Sequence, residues 1–171
     1  MAARAHRHQV RKDGSTPYVA HPVRVAMIAA TVFGCSDETV LAAALVHDVI
    51  EDSPIDYDDV HRRLGRAVAD LCAVLTKDMR LIEPERERAY EEQLARGPWQ
   101  GRLIKLADVY DNLADCTTAA DRRTFIARAR SALEMAAGDA ELARARQRLD
   151  ELVSAIEVEL GGGVNDPAAM E

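Results

Sequence analysis

An all-α fold is predicted by this 171-residue sequence, and three observations carry the prediction. Aromatic residues are only 4% of the chain, while alanine and leucine dominate the apolar set, a mix suited to helices rather than to β-branched and aromatic strands. Apolar positions recur at steps of three and four, the spacing of one helix face. Gly, Pro, Asp and Ser fall between these stretches as stops and caps. With 48% hydrophobic and 30% charged residues, the chain can build a sizeable core of ordinary composition. No internal repeat or linker divides it, so residues 1–160 are expected to form one domain and 161–171, GGGVNDPAAME, a disordered tail.

RKDGSTP at 11–17 reads as a loop after a short amino-terminal helical piece. Pro22 suits the first turn of a helix whose Val23, Ala26, Ile28 and Ala29 run to a stop at Gly34. Asp37 is placed to cap DETVLAAALVHDVIED, a nearly continuous apolar helix central to the domain and ended by Ser53 and Pro54. Asp56 caps a short helix to Leu64 and Gly65 breaks it. Val68, Leu71, Cys72 and Leu75 then mark an inward stripe. PERERAYEEQLARG is an exposed helix of mixed charge stopped by Gly97 and Pro98, and 99–116 is another with Leu103, Leu106 and Leu113 inside. Helices at about 121–137 and 139–160 follow. The last carries Leu142, Ala145, Leu149, Leu152, Ile156 and Leu160 as a stripe, read first as core packing and second as a face for a homodimer.

The net charge of -7 excludes broad attraction to DNA, RNA or anionic membranes, so an anionic ligand must be held locally. Cys35, Cys72 and Cys116 are far apart, lack a CxxC pairing and read as buried free thiols in apolar helical stretches. The amino terminus has no apolar signal region, and no apolar run is long enough to cross a bilayer. A cytoplasmic protein is the expectation.

Chemistry concentrates at His21, the doublet His47-Asp48 and Asp108. Singly, each has a bland explanation: a cap, a satisfied core histidine, a solvent-facing acid. The doublet interrupts the apolar run VLAAALVHDVI, where unpartnered burial would cost several kcal/mol, and a metal ion is the natural partner. Two imidazoles and two carboxylates suit Mn, Fe or Zn, and leave an open position of the catalytic kind. Glu51 and Asp52 follow His47 and Asp48 by four residues, one helical turn onward. Acids at a helix carboxyl end are electrostatically misplaced, as a functional site can impose, and there they would position water, take its proton or protonate a leaving oxygen.

The ordered set R-K-D-G-S-T-P-Y-V-A-H-P, A-A-L-V-H-D-V-I-E-D, L-T-K-D and K-L-A-D-V-Y-D-N-L resembles the hydrolase domain of the RelA/SpoT family from about Ala5 to Asp115. The resemblance implies a helical HD-domain bundle that uses one Mn²⁺ to remove the 3′-pyrophosphate of guanosine tetra- or pentaphosphate. It also implies His21, His47, Asp48 and Asp108 as metal ligands, Glu51 and Asp52 as the catalytic acids, and Arg11, Lys12 and Asn112 as substrate contacts. The charge balance agrees on the basic pair: with acids clustered at the metal, a polyphosphate needs nearby cations. Lys105 and Arg128 are the next candidates to hold it. The chain has no room for the family's synthetase domain and resembles its small hydrolase-only members. Val109 stands where the family usually has a basic residue, and RSALEM at 130–135 lacks an aromatic near the base. Another nucleotide, an adenine alarmone or an NADPH-type phosphate, is therefore the alternative substrate. A catalytically idle nucleotide sensor is the alternative from another class, and the complete ligand and acid set argues against it.

Overall fold

The structure, a computed structural model, describes residues 1–162. It is helical, and among the described residues the extended pairing is an isolated bridge between Val10 and Pro17. That bridge closes the 11–17 loop: Arg11 N–H donates to the Thr16 carbonyl at 2.8 Å, and Gly14 takes a positive φ of 74° at the tip. The loop follows α1 (Ala2–Ala5) and leads into α2 (Ala20–Met27), which runs on as a wider turn over Ile28–Val32. The inward stripe there is Val25, Ala26, Ala29 and Phe33. Val23, expected inside, is 42% exposed, because the helix phase is set by burying His21 and Pro22 rather than by apolar spacing alone.

Asp37 caps α3 (Glu38–Ala44) as expected, accepting from Thr39 and Val40 N–H. The expected continuous helix to Asp52 is, however, interrupted. Residues 45–48 form a tightened turn, and α4 (Val49–Asp52) starts afresh. Val46 N–H and Val49 N–H reach back three residues rather than four, to Ala43 and Val46. The Ala44 carbonyl, which an unbroken helix would offer to Asp48 N–H, accepts instead from His47 Nδ1 at 2.9 Å. A side chain has taken a rung of the helix, and the doublet sits in the break.

α5 (Tyr57–Leu64) is capped by Asp56 and ended by Gly65. α6 (Arg66–Leu75) buries Val68, Leu71, Cys72 and Leu75. α7 (Glu83–Arg96) is mostly exposed and buries Tyr90 and Leu94. α8 (Trp99–Ala114) is the axis of the bundle, packed by α2, α3, α6 and α7. α9 (Ala119–Met135) and α10 (Ala143–Gly162) complete its surroundings. Of the expected carboxyl-terminal stripe, Leu142, Ala145, Leu149 and Ile156 are buried, with Val153 added, and Leu152 and Leu160 are half-buried against the core. Cys72 is buried in α6, whereas Cys35 and Cys116 are half-buried in loops just past helical turns, not inside helices. Of the expected tail, Gly161 and Gly162 extend α10, and 163–171 lie outside the described residues. No described helix is long and apolar enough to cross a membrane.

Gly65 holds φ at 88° with open space where a Cβ would stand. Gly65→Ala should therefore destabilise by about 1 kcal/mol through backbone conformation alone. A lower urea midpoint with an unchanged m-value would show it; an unchanged midpoint would mean that the α5–α6 joint relaxes.

Candidate active site

His21 opens α2 and is 1% exposed. Its Nδ1–H donates to Asp111 Oδ2 at 2.7 Å, which turns Nε2 toward Asp108 Oδ1 at 3.3 Å and Asp48 Oδ2 at 3.6 Å. His47, 4% exposed, is oriented in the same way by the Ala44 carbonyl. Its Nε2 lies 2.9 Å from Asp48 Oδ1 yet has no hydrogen-bond geometry to it, so it is a buried polar atom without a partner. His21, His47 and Asp108 each present a ligand atom within 4.8 Å of the others, and Asp48 touches both imidazoles. In each histidine the outer nitrogen is spent on an acceptor and the inner one faces the carboxylates, the arrangement that fixes imidazoles for metal binding. Orphaned, buried Nε2 and a mixed N/O donor set both fit a divalent cation.

Charge in the site is closely opposed. Asp108, in the middle of α8, accepts from Lys105 Nζ at 2.8 Å and from Asn112 Nδ2 at 2.6 Å. Burial works against its charge, but the Lys105 ammonium and His21 hold its carboxyl well below the usual range. For Asp48 burial is likewise outweighed, by His47 above all, and its pKa is lowered to about 2. Burial disfavours a charged His21, yet Asp108, Asp111 and Asp48 raise it to about 9. Asp111, 3% exposed, is also gripped by the Arg24 guanidinium, one turn after His21 on α2.

The acids of α4 stand at the edge. Glu51, half-buried, accepts from Lys77 N–H at 3.0 Å through Oε2. Burial pushes its carboxyl up, the Lys77 amide opposes this, and Asp52 and Asp48 add to the rise. Asp52 is raised by burial and by Asp48. Tyr18 O–H donates to Asp48 Oδ2 at 2.7 Å and lies 3.4 Å from Asp52 Oδ2, linking the two carboxylates. His6, 2% exposed, packs its ring 4.8 Å from that of Tyr18.

The basic loop docks on the same end of α8. Arg11 donates to Asp115 Oδ2 at 3.0 and 3.2 Å and to Asn112 Oδ1 at 3.0 Å. Asn112 thereby joins Arg11 to Asp108. A cavity of about 300 Å³ opens beside it, lined among others by Arg11, Lys12, Asn112, Thr118, Asp121 and Phe125. Lys12 and Arg128 stand 5.1 and 5.0 Å from the Phe125 ring centre, as cation–π partners. Val109 is 1% exposed in the core and does not line the cavity.

All the expected site residues thus fall in one region except in role: Lys105 is committed to Asp108, while Arg128 reaches the cavity through Phe125. Tyr18, Arg24, Asp111 and Phe125 were not anticipated. Arg24 and Asp111 each lie three residues after a candidate ligand, a same-face spacing that would have found them. Tyr18 lies in the motif with His21. Phe125 gave no local signal.

A sequence model described as HD domain matches residues 1–135. The Guanosine-3′,5′-bis(diphosphate) 3′-pyrophosphohydrolase MESH1 of Drosophila melanogaster is 44% identical over 115 residues, covering 67% of this chain and 64% of that protein. The chain therefore spans under two thirds of that curated relative's length. The bifunctional (p)ppGpp synthase/hydrolase SpoT of Escherichia coli is 36% identical over 135 residues, 75% of this chain and 19% of that one. A solved structure described as a metazoan ortholog of SpoT that hydrolyzes ppGpp and plays a role in starvation responses superposes with a TM-score of 0.80 at 35% identity, covering 91% of this chain and 90% of the other. The helical arrangement, the His-Asp doublet in its broken helix and the span of the matching sequence agree: this chain belongs to the HD-domain family, whose members hold a divalent metal ion.

Proposed function

We propose that the chain is a Mn²⁺-dependent hydrolase of guanosine 3′,5′-polyphosphates, releasing pyrophosphate from the 3′ position to leave GDP or GTP. The observation that carries the reading is the joining, through Asn112, of a four-residue donor cluster to a cavity of about 300 Å³ that Arg11 and Lys12 line together with Asp13, Asp115 and Asp121. His21, His47, Asp48 and Asp108 would hold the ion, which when bound supplies Lewis-acid stabilisation of charge on phosphoryl oxygen. Lys12 and Arg128 offer charge to the phosphates and, with Phe125, an aromatic and cationic wall to the base. Arg11 keeps the loop docked and presents its guanidinium at the cavity.

In the reaction, water adds to the phosphorus bound to the ribose 3′ oxygen, and the bond from that phosphorus to the 3′ oxygen breaks. Glu51 is the group proposed to take the water's proton: one carboxylate oxygen is pinned by Lys77 N–H and the other is unengaged. Its pKa, raised first by burial, makes it a stronger proton acceptor than a free carboxylate. Asp52, linked to Asp48 through Tyr18, is the group proposed to return a proton to the leaving oxygen. A small nucleotide is thus the proposed partner, and a reducing cytoplasm the proposed setting.

The reading is tested by incubating the protein and Mn²⁺ with ppGpp, an adenine alarmone and NADPH, and resolving the products. GDP and pyrophosphate should form fastest from ppGpp. Glu51→Gln should lower turnover by roughly 10²- to 10⁴-fold while metal content and fold persist. Full metal loading without turnover of ppGpp would overturn the assignment, as would near-normal turnover by Glu51→Gln for that residue.

Metal binding should depend on pH in a defined direction. The proton held on His21 up to about pH 9 must leave before Nε2 can bind a cation. Affinity for Mn²⁺, measured on chelator-treated protein, should rise by about tenfold or more per pH unit below that point and level off above it. Asp111→Asn removes a charge that favours the protonated ring, so the plateau should begin at lower pH. A pH-independent affinity between pH 6 and 9 would show that no proton is displaced from His21 in that range.

A further inference from the structure

A larger cavity, about 650 Å³, lies between the α1 segment, the turn at 53–55 and α5, and none of the candidate active-site residues lines it. Its lining combines apolar residues, Ala3, Pro54 and Ile55 among them, with Arg4, Arg7 and Arg63. Among the described residues these three arginines have no carboxylate partner. The one acid in the lining, Asp59, is taken by Arg62 at 2.6 Å, and Arg7 Nε donates to His8 Nε2 at 2.8 Å.

This is anomalous for a chain of net charge -7, in which most arginines elsewhere meet an acid. Uncompensated cations around a concave, low-dielectric wall concentrate positive potential inside it. Guanidinium groups match phosphate oxygens in pairs, and apolar lining residues suit the uncharged part of the same ligand. The volume lies within the range of pockets that take one small molecule. We propose that this cavity is a second ligand site, separate from the metal-centred one, that binds a nucleoside phosphate. The segment bearing Arg4 and Arg7 continues to Gln9, whose Nε2 donates to the Asp52 carbonyl at 2.7 Å, so the site adjoins the backbone of a proposed catalytic acid. Inorganic phosphates would engage the arginines alone and leave the apolar lining uncovered.

The test is calorimetric titration of the full chain, without added metal, with GDP, pyrophosphate and guanosine as probes. GDP should show a binding event that persists in Arg11→Ala and weakens by roughly tenfold or more in Arg4→Glu and in Arg63→Glu, both exposed positions at which folding is checked by circular dichroism. Amide shifts on GDP addition to Arg11→Ala should fall on residues 3–8 and 53–63. Pyrophosphate and guanosine should each bind there at least roughly tenfold more weakly than GDP. The site is overturned if GDP binding ignores both Arg4→Glu and Arg63→Glu, or vanishes in Arg11→Ala. Equal binding of pyrophosphate would overturn the nucleoside part of the ligand. Neither outcome depends on whether the chain turns over ppGpp.

Discussion

The hydrogen bond from His47 Nδ1 to the Ala44 carbonyl is the contact on which the site's geometry rests. It removes a rung from what the apolar pattern would make a single helix, and the turn at 45–48 is the result. Neighbouring residues on an intact helix diverge by about 100°, so His47 and Asp48 would aim apart. In the break, Asp48 reaches both His47 Nε2 and His21 Nε2. The same bond leaves His47 with one buried nitrogen unpartnered, a cost of about 1–3 kcal/mol if nothing ever binds there. Local disorder in the helix and an unsatisfied atom are two sides of one arrangement, and both are intelligible if a cation is the missing partner.

Around that point the fold distributes charge in two directions. Toward the interior, α8 supplies Asp108 and Asp111, and their counter-cations arrive from different elements: Lys105 from the same helix, Arg24 from α2 and Arg11 from the docked loop. These ties fix ligand orientation and also join α2, α8 and the amino-terminal loop into one unit. Toward solvent, α4 places Glu51 and Asp52 where burial and neighbouring acids keep protons on them more readily than on free carboxylates. The result is a region that can attract a cation at its base and an anion at its mouth. Such a division lets an acidic chain present local positive charge without a broad basic face.

Docking also changes the meaning of Arg11 and Lys12. In a solvated loop both would be interchangeable point charges. In the structure Arg11 is largely buried against Asp115 and Asn112, so its forked geometry is used for position. Lys12 and Arg128 converge from the loop and α9 on the Phe125 ring. An aromatic that 130–135 lacks is present on α9 as Phe125, five residues before that segment, and it lines the cavity beside Asn112.

The sequence by itself determined the helical class, the caps at Asp37 and Asp56, the stop at Gly65, the inward stripes of α6, α8 and α10, and the identity of the candidate ligands and acids. These are local or periodic features: a cap is decided within a turn, and a buried ionisable doublet announces itself inside an apolar run. Only the tertiary structure decided the break at 45–48, the inward phase of α2, the partnership of His21 with Asp111 and Arg24, and the convergence of Lys12, Arg128 and Phe125. Each of these depends on groups brought together from distant parts of the chain, or on a side chain outbidding the backbone for one carbonyl. Periodicity cannot register such competition, because its outcome depends on which partners the fold delivers and how far each is from water.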